Sequence, residues 1–82
     1  TLEQGSQGPK VRQIQEELNV IAGAYPEIPK VTEDGIYGPE TEAAVRKFQS
    51  IFGLPVTGEI DYKTWYKISE IYVGVSRIAE LS

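Results

Sequence analysis

Glycine-rich turns leading straight into amphipathic helices occur three times in this chain, and that repetition confines it to a small all-helical fold. The middle copy, Asp34-Gly35-Ile36-Tyr37-Gly38-Pro39-Glu40-Thr41, is the most sharply written. Glycines at 35 and 38 allow a positive φ or a close backbone approach, and Pro39 suits the first helical position, where a missing N–H costs nothing. A helix is therefore expected to start at residue 38. Beyond it, Ala44, Val45, Phe48, Ile51 and Phe52 share one face, while Glu42, Arg46, Lys47 and Ser50 lie between them on the solvated side. Gly53-Leu54-Pro55 stops this helix: the glycine supplies a left-handed cap, Leu54 folds back on the last apolar turn, and Pro55 cannot continue the ladder.

Two recurrences bind the copies together. Val11-Arg12-Gln13-Ile14-Gln15 returns 34 positions later as Val45-Arg46-Lys47-Phe48-Gln49, and Gly35-Ile36-Tyr37 with Thr41 matches Gly58-Glu59-Ile60 with Thr64 at a shift of 23. Periods of this size describe supersecondary units that stack to bury their apolar faces. The first helix is expected from Pro9 to Ala22, with Val11, Ile14, Leu18 and Ile21 buried. The third begins near Asp61, a good N-cap, with a stripe of Trp65, Ile68, Tyr72, Val75 and Ile78, ending at Leu81. Gly74 lies inside that helix, at a cost of roughly 1 kcal/mol relative to alanine, so a bend, a break or a close neighbour is expected there. Residues 23–33 contain Gly23, Pro26 and Pro29 and read as an ordered loop. The fold class is thus all-α: a three-helix orthogonal bundle with an internal pseudo-repeat of turn plus helix.

Composition removes most chemistry. The 82 residues form one domain, and its polar lead from Thr1, without initiator methionine or signal peptide, reads as a domain excised from a longer protein. No apolar run approaches the roughly 20 residues of a membrane span, so no membrane partner is expected. With no cysteine and no histidine, the chain lacks disulfides, thiolate ligands, cysteine nucleophiles and the commonest general base. A net charge of −4, with no basic run longer than Arg46-Lys47, speaks against nucleic acid. Aligning Gly35 with the invariant glycine of a calcium-binding helix-loop-helix puts Lys30 at the first ligand position and Thr41 at the last, where carboxylates are required. A carboxylate pair drawn from Glu33 or Asp34 with Glu40 or Asp61 could serve glycoside cleavage, but surface charges and helix caps account for those residues more simply in a domain with little room for a cleft. No catalytic residue, metal or cofactor is assigned.

The spaced pattern Asp34-Gly35-Ile36-Tyr37-Gly38-Pro39-x-Thr41-x-x-Ala44-Val45-x-x-Phe48-Gln49, then Gly53-Leu54-Pro55-x-x-Gly58 and Thr64-Trp65, resembles the three-helix peptidoglycan-binding domains of bacterial cell-wall hydrolases. Gly5-Ser6-x-Gly8-x-x-Val11-x-x-Ile14-Gln15-x-x-Leu18 is similar to that family's first helix, so the likeness covers about residues 2 to 68. The loop Tyr25-Pro26-Glu27-Ile28-Pro29 and the tail from Ser69 are longer than usual and resemble versions from clostridia-like spore formers. The resemblance implies a noncatalytic, monomeric wall anchor, extracellular or spore-associated, that holds an attached catalytic domain near peptidoglycan. Whether the glycan strand or the stem peptide is held stays open. The rival reading is a protein-interaction or pro-region module, since a similar fold serves as the pro-segment of zinc metalloproteases; latency there uses a metal-bound cysteine, which this chain lacks.

A peptidoglycan binder needs aromatic platforms for sugar faces and exposed amide-pairing groups. The candidate ligand-binding residues are Asp34, Gly35, Tyr37, Gly38, Thr41, Arg46, Tyr62 and Trp65, in a shallow groove between the 34–41 turn and the start of the third helix. Each has a plainer role. Tyr37 can plug the core, Trp65 sits on an apolar stripe, Asp34 can bond its own turn, and Thr41 and Thr64 can stabilise first turns. Gln15 and Gln49, equivalent in two repeats, read as side chains that satisfy turn backbone rather than ligand. Arg46 is a solvated charge or a carboxylate clamp.

Overall fold

The computed structural model describes residues 1–81, with side chains through residue 78, and contains three helices: α1 (Pro9–Ala24), α2 (Pro39–Ile51) and α3 (Tyr62–Leu81). Among the described residues there is no strand, only two isolated antiparallel bridges, Leu2 to Ile60 and Gln7 to Ile36. Proline opens α1 and α2, as the missing donor favours, while α3 is capped by Asp61, whose Oδ1 accepts the Thr64 N–H at 2.9 Å. α2 ends as its sequence dictates: Gly53 has φ 71°, and the Leu54 N–H reaches back to the Gln49 carbonyl at 2.8 Å.

Periodicity becomes packing. Val11, Ile14, Leu18 and Ile21 of α1, Ala44, Val45 and Phe48 of α2, and Ile68 of α3 form one core, with Ile51, Phe52, Leu54, Ile71 and Tyr72 half-buried around it. The backbones of α1 and α3 approach each other closely. The loop after α1 joins the same core. Ile28 and Val31 are buried, Tyr25 meets Phe52 edge-on at 5.1 Å, and the Asn19 amide both accepts the Val31 N–H and donates to the Val31 carbonyl at 2.8 Å. A side chain thus does for this loop what a neighbouring strand would do, which is why a proline-bearing segment is ordered.

Three expectations need correction. Gly38 has φ −105° and ψ −169°, ordinary extended backbone, and a Cβ built there meets nothing within 4 Å, so its turn places no special demand on that position. Positive φ falls instead at Gly5, Gly8, Gly35, Gly53 and Gly58, and of these Gly35 (φ 75°, its Cβ position 3.2 Å from the Gly8 carbonyl oxygen) and Gly58 (φ 77°, 2.8 Å from Arg46 Nε) are also crowded. Second, α3 runs unbroken through Gly74, where an added Cβ would likewise meet open space. Third, the buried stripe of α3 does not start at Trp65, which is 45% exposed; Thr64 is buried in its place, Ile68 is buried as expected, Tyr72 and Val75 are half-buried, and Ile78 is exposed. The Leu81 side chain lies outside the described residues.

Candidate functional site

The pseudo-repeat is a repeated polar clamp. Gln15 is fully buried; its Oε1 accepts the Gly35 N–H at 2.8 Å, and its Nε2 faces the Ile36 carbonyl at 3.0 Å, Thr41 Oγ1 at 3.0 Å and Asp34 Oδ1 at 3.2 Å. Gln49 does the same one unit later. Its Oε1 accepts the Thr57 and Gly58 N–H groups at 3.0 Å each, and its Nε2 faces the Glu59 carbonyl at 2.9 Å and the hydroxyls of Thr64 and Thr57 at 3.1 Å. Each glutamine thereby fastens the turn before the next helix and the threonine at that helix's third position. Buried polar groups demand such partners, and here the partners define the turn.

The two recurrence lengths now have one cause. Gln15 lies 20 residues from Gly35 but Gln49 only 9 from Gly58, a difference of 11 that equals the difference between the shifts of 34 and 23. The extra chain is the loop holding Ile28 and Val31.

Asp34 behaves as a turn residue. Its Oδ1 accepts the Ile36 N–H at 3.0 Å, and that bond, with the one from Gln15, holds its carboxyl below the usual range. Tyr37 is buried to 1% exposure and donates to the Gly58 carbonyl at 2.6 Å, tying the second turn to the third; burial pushes its phenol up. Asp61, the α3 cap, is also held low by the Thr64 N–H. Glu17 is the exception: it is buried, one carboxylate oxygen has no partner, and desolvation raises its pKa.

The candidate residues do not assemble as one groove. The lead at residues 2–7 is stitched to both turns, through Leu2 and Ile60, which exchange two backbone bonds, and through Gly5 and Ser6 bonded to Tyr37, so it occupies the space between them. Asp34 and Gly35 line a depression with Gly8, Pro9, Arg12 and Ile36. Tyr62 and Trp65 line a different one, about 470 Å³, with Lys10, Gln13, Ile60 and Asp61. Arg46 stands apart beside Gly58, paired with Glu42 at 3.3 Å. Tyr37 and Thr41 are enclosed, and Gly38 shapes the α2 entry. Two aromatic neighbours survive as an exposed pair: Tyr62 and Trp65, ring centroids 6.4 Å apart. Tyr66, not singled out by its sequence, joins them at 6.1 Å from Tyr62. Its signal was available, since residues 62 and 66 are helical neighbours.

With this geometry in view, a family model described as "Putative peptidoglycan binding domain" matches residues 7–68, which include both clamps, both turns and the aromatic start of α3. The chain belongs to this family. It is 39% identical over 72 residues to the zinc D-Ala-D-Ala carboxypeptidase of Streptomyces albus G, a match covering 87% of this chain and 27% of that protein. It is 48% identical over 46 residues to the autolytic lysozyme of Clostridium acetobutylicum, covering 56% of this chain and 13% of the lysozyme. The chain therefore spans only a small part of those relatives. The crystal structure of the SleB N-terminal domain has the same fold, with a TM-score of 0.73 and 31% identity over 87% of this chain and 90% of that one. Among the described residues no helix is long and apolar enough to cross a membrane.

Proposed function

We propose that this domain binds bacterial cell-wall peptidoglycan without cleaving it, and so keeps an attached hydrolase or other enzyme at the wall, outside the cell. The family match across the clamped core is the observation that carries this reading. The buried polar side chains support the noncatalytic part: Gln15, Gln49, Thr41 and Thr64 are committed to turn backbone and to one another, which leaves them nothing to offer a reacting bond. The ligand meets the exposed members of the site, Tyr62 and Trp65 first, with Arg46 and Asp34 at its margins. Gly35, Tyr37 and Thr41 serve by holding the turns in shape, and Gly38 only passes the chain into α2.

Co-sedimentation with purified sacculi tests the proposal. The chain should pellet with the wall, release no sugar or peptide, and stay bound at moderate salt, because a protein of charge −4 gains little long-range attraction from an anionic wall. Release of soluble fragments would overturn the noncatalytic reading. Failure to pellet with any peptidoglycan would favour a protein-interaction or pro-region role.

A further inference from the structure

Three rings on the first turns of α3 are left facing solvent: Tyr62 is 76% exposed, Trp65 45% and Tyr66 56%. Scattered exposed apolar residues are ordinary, but here Tyr62 neighbours both others, its ring tilted by 36° from Trp65 and by 30° from Tyr66, so the three form one aromatic surface. Tyr62 is its ridge. It lines the depression shared with Lys10, Gln13 and Trp65, and equally a second one of about 350 Å³ shared with Lys63, Tyr66 and the half-buried Phe52 and Leu54. Ring follows ring with open space on either side and amide or ammonium donors at both margins.

We propose that this face holds the glycan strand of peptidoglycan and not its stem peptide, successive N-acetylated sugars lying on Trp65, Tyr62 and Tyr66. The proposal rests on the wall-binding reading above. Pyranose rings present C–H faces that match an aromatic face, while their hydroxyl and acetamido groups suit donors such as Lys10 and Lys63 at the rim. Charge separates the two candidate ligands. Stem peptides carry free carboxylates, and the group best shaped for them is a guanidinium. Arg12 and Arg46 are each already paired with a helical neighbour, Glu16 at 3.4 Å and Glu42 at 3.3 Å, and neither lines the aromatic face. On that face Lys10, Lys63 and Lys67 are set against Asp61 and Glu70, with Lys67 donating to Glu70 at 3.1 Å. A near-neutral aromatic surface complements the sugar rings of a strand whose lactyl carboxyls are, in the intact wall, amide-bonded to the stems.

Trp65 is the only tryptophan in the chain and reports directly on its own face. Sacculi digested with an amidase yield free stem peptides and peptide-free glycan strands whose freed lactyl groups are carboxylates, so each is titrated against Trp65 fluorescence at moderate salt, where charge attraction is screened, and used to compete the chain off intact sacculi. Glycan strands should shift the emission and compete, and stem peptides should do neither. Tyr62→Ala and Tyr66→Ala should each weaken glycan binding by about tenfold with an unchanged melting temperature, whereas Val73→Ala, at an exposed position further along α3, should bind like the parent. Competition by stem peptides alone, or full glycan binding by a Tyr62→Ala/Tyr66→Ala double variant, would overturn the proposal while leaving wall binding intact. A parent that fails to pellet with sacculi would overturn the wall-binding reading itself, and this proposal with it.

Discussion

Replacing Gln49 with leucine isolates what a repeated clamp contributes. The side chain is 1% exposed, and leucine fills nearly the same space while offering no hydrogen bond. Five partners are released. Thr57 and Glu59 are exposed and can turn to water, but the Gly58 N–H and the Thr64 hydroxyl belong to buried residues. Each buried polar group left unpaired costs about 1–3 kcal/mol, so Gln49→Leu should destabilise by about 2–6 kcal/mol, a large share of the roughly 5–15 kcal/mol that holds a domain together. Urea unfolding followed by far-UV circular dichroism measures it. Thr64→Val supplies a cross-check, because in the double variant the threonine hydroxyl is no longer there to be orphaned. The two losses should therefore fall short of additivity by about 0.5–3 kcal/mol. Gln15→Leu, which strands the Gly35 N–H and the Thr41 hydroxyl, should cost a similar amount. A loss below about 1 kcal/mol at Gln49, or strict additivity with Thr64→Val, would refute the clamp as the determinant of the turn.

Gly58→Ala should destabilise by about 1–2 kcal/mol through its left-handed backbone, with more from pushing aside Arg46 and Glu42, whereas Gly38→Ala should stay within about 0.5 kcal/mol of the parent; paired thermal melts decide. Gly74→Ala should stabilise α3 by about 0.5–1 kcal/mol in the same assay, since the added methyl meets nothing and the helix is continuous. Glu17→Gln should raise the melting temperature at neutral pH. The folded-state pKa of Glu17 is raised, so its contribution is fully present below the ordinary glutamate value and is lost as pH rises through the folded one. The advantage of the variant should therefore shrink on acidification. Asp34 and Asp61 titrate the opposite way, their lowered values giving stability above the ordinary aspartate range that is lost as pH falls, so that acid limb should persist in both proteins.

Much of the fold was legible because its signals are local. Proline at a helix start, glycine past a helix end and a period of 3.6 act within a few residues of themselves, so α1, α2 and the Asp61 cap follow from the chain read in order. The equivalence of Gln15 and Gln49 was legible for a different reason. A duplicated unit writes the same contact twice, and two buried amides at matching positions need the same partners.

Trp65 and the candidate groove were not legible, for reasons that lie in tertiary packing. On hydrophobicity alone Trp65 outranks Thr64 for the interior, yet the hydroxyl of Thr64 is required by Gln49, and that contact turns α3 so that Thr64 and Ile68 face inward. One residue along a helix is about 100° of rotation, so its neighbour is carried to the rim beside Tyr62. The candidate residues are divided for a like reason: residues 2–7, unremarkable as sequence, pair with both turns and lie between them. Sequence alone determined which segments are helical, where each begins, how α2 ends, and which two glutamines correspond, because those depend on bonds and spacings within reach of each residue. Only the tertiary structure decided which glycines are strained, which aromatic rings are left to solvent and how the candidate residues divide, because each of these depends on what a distant part of the chain brings against them.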